Sequence, residues 1–210
     1  MIYNVGIIGI GKMGKIRYNI LKKHKYINKI FCYDPNNKEK NNTFNINQLL
    51  KNNEIQIIFV CTPNYLNKKL TIKSLQNGKH VFCEKPPSFT ANEMKEIISI
   101  EKKSKKILMY GFNHRHHESI KLMKNIIDKK KYGNILWMRG RYGKSVSKEF
   151  YNDWRSKKKL SGGGILIDQG IHILDLFLYF AGDFNKIYAS VSNLYWNVGV
   201  EDNVFAILEN

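Results

Sequence analysis

The stretch Val5-Gly6-Ile7-Ile8-Gly9-Ile10-Gly11-Lys12-Met13-Gly14 limits this chain more than any other, because an apolar strand runs straight into a glycine-spaced turn and out into a helix. In the G-x-G-x-x-G spacing, the first glycine makes the tight turn. The second lets a pyrophosphate approach the backbone, and the third lets the helix pack closely on the strand. The helix then points its unpaired N–H groups, including those of Lys12 and Met13, at an anion. Glycines punctuate many ordinary turns, so the context decides. A strand over Tyr3–Ile8 precedes the turn, a helical pattern of Met13, Ile16, Ile20 and Leu21 follows it, and Asp34 closes the next strand 20 residues beyond Gly14. An acid there can bond both ribose hydroxyls and repels a 2′-phosphate. Pro35, Asn36 and Asn37 follow with no arginine among them, so the pattern favours NAD over NADP, with Lys38 the nearest cation. The competing reading of Asp34 is a cap on the turn Asp-Pro-Asn-Asn.

From there strands and helices alternate. The patterns predict a short helix over 45–51, a strand over 55–60 ending in Cys61-Thr62-Pro63-Asn64, a helix over 65–76 stopped at Asn77-Gly78, and a strand over 79–83. Thr90-Ala91-Asn92-Glu93 is a capping box opening a helix with Met94, Ile97 and Ile98 inward, followed by a strand over 107–110. Such alternation means a doubly wound parallel sheet, which binds ligands beyond the carboxyl ends of its strands. Those ends are residues 9–14, Asp34, Thr62, Pro63 and Asn64, and Glu84, Lys85 and Pro86.

The second half has a different character. After a helix over 119–129 and a turn at Tyr132-Gly133-Asn134, strands are expected over 135–142, 187–194 and 203–208, with a single long helical segment near 170–180. The fold class expected is therefore α/β: a Rossmann-type parallel sheet over 1–111, then an α+β domain over 112–210 with an open, mainly antiparallel sheet. The last strand, Val204-Phe205-Ala206-Ile207-Leu208, is largely apolar and is followed only by Glu209-Asn210, which leads us to expect that the sheet is incomplete and that the chain is a fragment of a longer product.

Composition bears mainly on partners. The formal charge of +18 could suggest nucleic acid, but 30 of the 35 basic residues are lysine and they are scattered over nearly every polar face. Runs such as Lys129-Lys130-Lys131 and Lys157-Lys158-Lys159 read as solvated loops, so no nucleic-acid partner is expected. No run approaches the ~18 apolar residues of a membrane span, and no signal peptide precedes the first strand, which predicts a cytoplasmic protein without a membrane partner. Cys32, Cys61 and Cys83 each end an apolar run and suit buried, reduced thiols.

Three groups could carry chemistry. Lys85, in Glu84-Lys85-Pro86-Pro87 at the end of a sheet strand, can hydrogen-bond a reacting oxygen and stabilise a developing alkoxide, or can be a surface lysine in a proline-rich turn. After the triple glycine 162–164, Asp168 and His172 are four apart, so that a helical turn places the acid where it could orient an imidazole acting as general base. Alternatively, His172 is a satisfied core residue and Asp168 an N-cap. Asn113-His114-Arg115-His116-His117 lacks matching cysteine or acidic partners, so no metal site is expected.

Together these residues resemble the Gfo/Idh/MocA oxidoreductase family. The resemblance rests on Gly9-x-Gly11-x-x-Gly14, Cys61-Thr62-Pro63-Asn64-Tyr65, Glu84-Lys85-Pro86, Gly111-Phe112-Asn113-x-Arg115, Trp154-Arg155, and Gly162-Gly163-Gly164 through Asp168-x-x-x-His172. It implies a Rossmann domain, then an α/β domain whose large open sheet serves substrate binding and homo-oligomer contacts, and hydride transfer between a sugar or polyol carbon and a nicotinamide. Carried over residue by residue, Lys85 would bond the reacting oxygen, His172 would exchange its proton, and Asp168 would hold His172 and the substrate. Arg115, Tyr142, Trp154 and Arg155 would line the substrate pocket. The cofactor would meet Gly9, Gly11, Lys12, Met13, Gly14, Asp34, Thr62, Pro63, Asn64, Glu84 and Lys85. The segment from Arg141 to Phe184 looks most like members associated with surface-polysaccharide sugars, so a nucleotide-sugar is among the substrates implied. Two departures stand out: Asn67 occupies a place where the family often has histidine, and the family's second domain normally continues beyond residue 210. A non-catalytic dinucleotide-binding or scaffold protein is the alternative reading.

Overall fold

The computed structural model describes residues 1–36 and 45–210. Of the residues read above, Asn37 and Lys38 lie outside the described ones. The chain divides into two compact units, Met1–Gly111 and Phe112–Asn210.

In the first unit, β1 (Tyr3–Ile8), α1 (Lys12–Leu21), β2 (Ile27–Tyr33), α2 (Ile46–Lys51), β3 (Ile57–Val60), α3 (Asn64–Gln76), β4 (His80–Cys83), α4 (Ala91–Ser104) and β5 (Leu108–Tyr110) follow one another. The five strands form one parallel sheet in the order β2-β1-β3-β4-β5. Alternation along the strands sends side chains to opposite faces. Ile58 and Val60 join Ile8, Leu49, Leu50, Leu70 and Leu75 on one face, while Ile57 and Phe59 pack on the other against Val5, Ile7, Ile10 and Leu21. Both faces are thus covered, as a parallel sheet requires. Each fully buried aliphatic side chain here contributes about 1.5–3 kcal/mol to that closure.

Helix starts follow the expected side-chain chemistry. Asn45 caps α2 by accepting the Gln48 N–H, and Thr90 caps α4 by accepting the Glu93 N–H. Glu93 reaches back one residue further than a capping box demands and accepts the Phe89 N–H at 2.8 Å. One expectation needs correction: Ile98 is 41 % exposed, and Ile100 packs against the core in its place, because the buried stripe of α4 runs through Ile97 and Ile100, one helical turn apart.

The second unit holds α5 (Glu118–Asp128), α6 (Lys158–Ser161), a wide π-type turn at Leu166–Gly170, α7 (Ile171–Ala181), and the antiparallel pair β6 (Lys186–Ser192) and β7 (Asn203–Glu209). β6 and β7 pair from Lys186↔Glu209 to Ser192↔Asn203. The strand expected over 135–142 is not one: no strand pairs with it among the described residues. A strand exists through a neighbour's ladder, and this run, with Leu136 and Trp137 largely exposed, makes none among the described residues. A Cβ at Gly140 would lie 2.7 Å from Ile173 and 2.9 Å from Phe177.

The membrane expectation also needs amending, since Lys158–Ala181 is helical enough, long enough and apolar enough to cross a bilayer by length and composition. Left-handed Gly162 interrupts it, and Asp168 and Asp175 within it are both ion-paired, groups that are costly in hydrocarbon.

The packing of α1 on β1 turns on two glycines. Gly9 has φ +92°, and a Cβ on it would sit 2.5 Å from the Cys61 carbonyl oxygen. A Cβ on Gly14 would overlap the Gly9 carbonyl oxygen, whereas at Gly11 it would meet nothing within 4 Å. Gly14→Ala should therefore destabilise the fold by about 3 kcal/mol, backbone having no rotamer with which to yield. Gly11→Ala should cost under about 0.5 kcal/mol. Urea unfolding of the two variants checks the contrast.

Candidate functional site

The parallel sheet reverses its winding between β1 and β3, where the chain first steps outward to β2 and then returns to build β3, β4 and β5 on the other side. Crevices at such switch points, beyond the strand carboxyl ends, are where open α/β sheets take ligands. Here that edge is made by residues 9–14 after β1 and by Thr62, Pro63 and Asn64 after β3. The Gly9 N–H donates to Tyr33 and the Cys61 N–H to Ile8, which fixes both turns on the sheet. Within α1 the first hydrogen bond is Lys15 N–H to the Gly11 carbonyl at 3.0 Å, so the amides ahead of it, those of Gly11, Lys12, Met13 and Gly14, face out of the helix end.

This arrangement fits a dinucleotide pyrophosphate: Gly11 stands open, the amides converge beside it, and Met13 lies on the exposed side. Asp34, just past β2, accepts the Ile10 N–H at 2.6 Å through Oδ2 and the Asn36 N–H at 2.8 Å through Oδ1. Its carboxylate is thereby locked to the glycine turn, and it caps the Asp-Pro-Asn turn as well; a carboxylate can accept further hydrogen bonds from a ribose.

Beyond β4, Glu84 is buried and Lys85 half-buried. The guanidinium of Arg17, on α1, grips Glu84 Oε1 with Nε at 2.9 Å and with the terminal nitrogen at 2.8 Å, and lies 4.8 Å over the Phe82 ring. Glu84 Oε2 sits where a Cβ on Gly111 would be, 2.7 Å away. Asn67, on α3, donates from one Nδ2 to the Glu84 carbonyl at 3.1 Å and to the Pro86 carbonyl at 2.9 Å, and its Oδ1 accepts the Thr62 hydroxyl at 3.2 Å. Two thiols line the same edge. Burial first, and then the Glu84 carboxylate, push the Cys61 thiol far above its ordinary range, and burial lifts Cys83 to about 12.

In the second unit, α7 and the turn before it bring most of the expected residues together. His172 is buried at 6 % exposure, with the His114 ring stacked on it at 4.3 Å, Tyr142 at 6.2 Å and the edge of Phe112 at 6.4 Å. Asp168 Oδ2 meets Lys144 Nζ at 3.2 Å, Gln169 Nε2 at 2.8 Å and Arg155 Nε at 3.9 Å. Arg155 lies 4.3 Å over the Trp154 ring and is also held by Asp153. The triple glycine does permit a close backbone approach, and what approaches is Glu201: its carbonyl accepts the Ile165 N–H and its carboxylate the Leu166 N–H, and a Cβ on Gly164 would overlap it. Arg115 is separate from this cluster. Its fork is bidentate on Asp175 at 2.7 and 2.5 Å, with the Tyr179 ring 4.8 Å away. Among the described residues, no group of three His, Cys, Asp or Glu side chains could hold a metal ion.

Sequence reasoning passed over Arg17, Lys144 and Glu201, and weighed His114 only as a metal ligand. Of these only His114 carried a signal, as one of three imidazoles in five residues.

Comparison with known proteins follows the same division. Residues 3–112 match the model of an oxidoreductase family with an NAD-binding Rossmann fold, and residues 120–210 match the GFO/IDH/MocA C-terminal domain. The levoglucosan dehydrogenase of Pseudarthrobacter phenanthrenivorans is 30 % identical over 155 residues, 73 % of this chain and 40 % of that protein. The D-glucoside 3-dehydrogenase of Escherichia coli is 32 % identical over 126 residues, 60 % of this chain and 36 % of that protein. A crystal structure of myo-inositol 2-dehydrogenase from Lactobacillus plantarum aligns with a TM-score of 0.86 at 26 % identity, over 99 % of this chain and 66 % of that one. The chain thus spans less than half the length of both curated relatives. With its strands, its glycine turn and both halves of its length accounted for in this way, the protein belongs to the Gfo/Idh/MocA oxidoreductase family.

Proposed function

We propose that this chain carries out, or forms part of an enzyme that carries out, NAD-dependent hydride transfer at a carbinol carbon of a sugar or polyol. The observation that carries this reading is the glycine cradle at the sheet's switch point, with Asp34 locked to it and Lys85 at the carboxyl end of β4 on the same edge. The similarity to dehydrogenases named for levoglucosan and glucosides supports the substrate class. In this reading the first unit is the cofactor domain. The second is the substrate domain, with a sheet face through which copies of the chain would associate.

A bound nicotinamide supplies the acceptor for the hydride that leaves the carbinol carbon. The chain supplies the rest. Gly9, Gly11, Gly14 and the first-turn amides bind the pyrophosphate, Asp34 the ribose, and Thr62, Pro63, Asn64 and Glu84 shape the wall beside it. Lys85 hydrogen-bonds the reacting oxygen and stabilises it as negative charge develops. His172 accepts the hydroxyl proton at a ring nitrogen as the carbonyl forms, and returns it in the reverse direction. Asp168 and the rings around His172 hold that imidazole, while Tyr142, Trp154 and Arg155 contact the sugar. Arg115 enters through Asp175, bracing α7 beneath His172. A nucleotide-sugar is the finer substrate proposal, and its diphosphate would suit the cations Arg155 and Lys144 around Asp168.

Incubating the protein with NAD and a panel of sugars, polyols and nucleotide-sugars, while following nicotinamide absorbance, tests the reaction; no reduction with any of them would count against it. Lys85→Ala or His172→Ala should each lower turnover by about 100-fold or more with NAD binding nearly unchanged. Normal turnover in both would return them to structural roles. Asp34→Ala should weaken NAD by about 10-fold or more while leaving NADP equal or tighter, as fluorescence titration would read. Tighter binding of NADP than of NAD by the parent chain would overturn the cofactor preference.

A further inference from the structure

The turn that carries Lys85 is poor in backbone donors. β4's ladder ends with the Glu84 N–H on Val60, and the two residues after Lys85 are prolines, which have no N–H to donate. A loop of this kind needs donors from elsewhere if its buried carbonyls are to be paired. Asn67 supplies two of them, and the Cys83 thiol gives the Glu84 carbonyl another at 3.3 Å. The Asn67 side chain is fully buried, and its Nδ2 bonds to the carbonyls of Glu84 and Pro86, one on each side of Lys85. The two carbonyls fix which way the amide points, since only the NH2 end can serve them, and Oδ1 is left to accept the Thr62 hydroxyl. A second grip comes from α1, where Arg17 holds the Glu84 carboxylate through two nitrogens. The backbone on which Lys85 is rooted is thus pinned to two helices whose N-termini both face the cofactor edge.

We propose that Asn67, assisted by Arg17, is the positioning residue for Lys85: its bridging amide fixes the Lys85 turn against the cradle so that the ammonium meets the reacting oxygen. The role rests on the reading of Lys85 given above. Neither side chain touches the reacting atoms. Their contribution is geometric, and a misplacement of about 1 Å at a reacting group can cost roughly 100-fold in rate.

A double-substitution cycle distinguishes positioning from plain packing. Asn67→Leu keeps the branching at Cγ, with a modest gain in volume, and removes both donors. It should lower kcat by about 10-fold with KM and NAD affinity changed by less than about two-fold, and in a Lys85→Ala background it should lower kcat by less than about two-fold, because the group it places is gone. Amide hydrogen exchange over residues 84–90 should quicken by about 10-fold in Asn67→Leu while β4 stays protected, a readout that does not depend on turnover. Equal losses in both backgrounds, or unchanged exchange in the turn, would overturn the proposal. Should Asn67→Leu fail to fold, Arg17→Lys, at a partly exposed position, keeps the charge but loses the two-nitrogen grip. It is run through the same cycle with an expected loss of about threefold or more only when Lys85 is present. A Lys85→Ala chain as active as the parent is a separate result, which removes the role given to Lys85 before the positioning question arises.

Discussion

Everything in the first unit depends on how closely α1 can sit on the turn that precedes it. With no side chain at Gly14, the helix backbone rests on the Gly9 carbonyl, and Gly9 in turn lies against the Cys61 carbonyl. That contact brings three things to one edge: the helix N-terminus, the end of β3, and Arg17 one turn along α1. From there the guanidinium reaches Glu84 and so the turn after β4. The open end of a helix and the placement of the Lys85 turn share one steric origin.

How much of this could be read in the sequence depended on the range of the interaction. The parallel sheet was legible because periodicity changes from two to nearly four residues and back are local; the observed strands and helices begin within two residues of where those changes fall, except β2, which starts at Ile27 rather than near Phe31. Caps at Asn45 and Thr90 are equally local. The run over 135–142 has the same alternating look as a strand but finds no ladder partner among the described residues, and nothing within it says so. Ile98 was misplaced for a related reason, since a stripe of isoleucines at 97, 98 and 100 does not reveal which neighbour faces α3.

The candidate site divides along the same line. The glycine spacing, Asp34 and Lys85 were visible because each sits at a strand end that the periodicity had already located. The pairing of Arg17 with Glu84 joins residues 67 positions apart, and that of Glu201 with Leu166 spans 35. Neither has a local signature. Glu201 also changes the sense of the triple glycine: its backbone fills the space that the missing side chain of Gly164 leaves, and the loop beside it is tied because Asp202 accepts the N–H groups of Leu194, Tyr195 and Trp196. Arg115 shows the opposite case, a cation visible in its motif whose fork is used within the fold, on Asp175.

The burial of Cys61 and Cys83 gives this edge a chemical character of its own. Both thiols stay protonated across the physiological range, Cys61 against the glycine turn and Cys83 beneath the Lys85 turn. The thiolate is the form that attacks electrophiles. An electrophile held at this edge would therefore meet thiols in their protonated, weakly nucleophilic form.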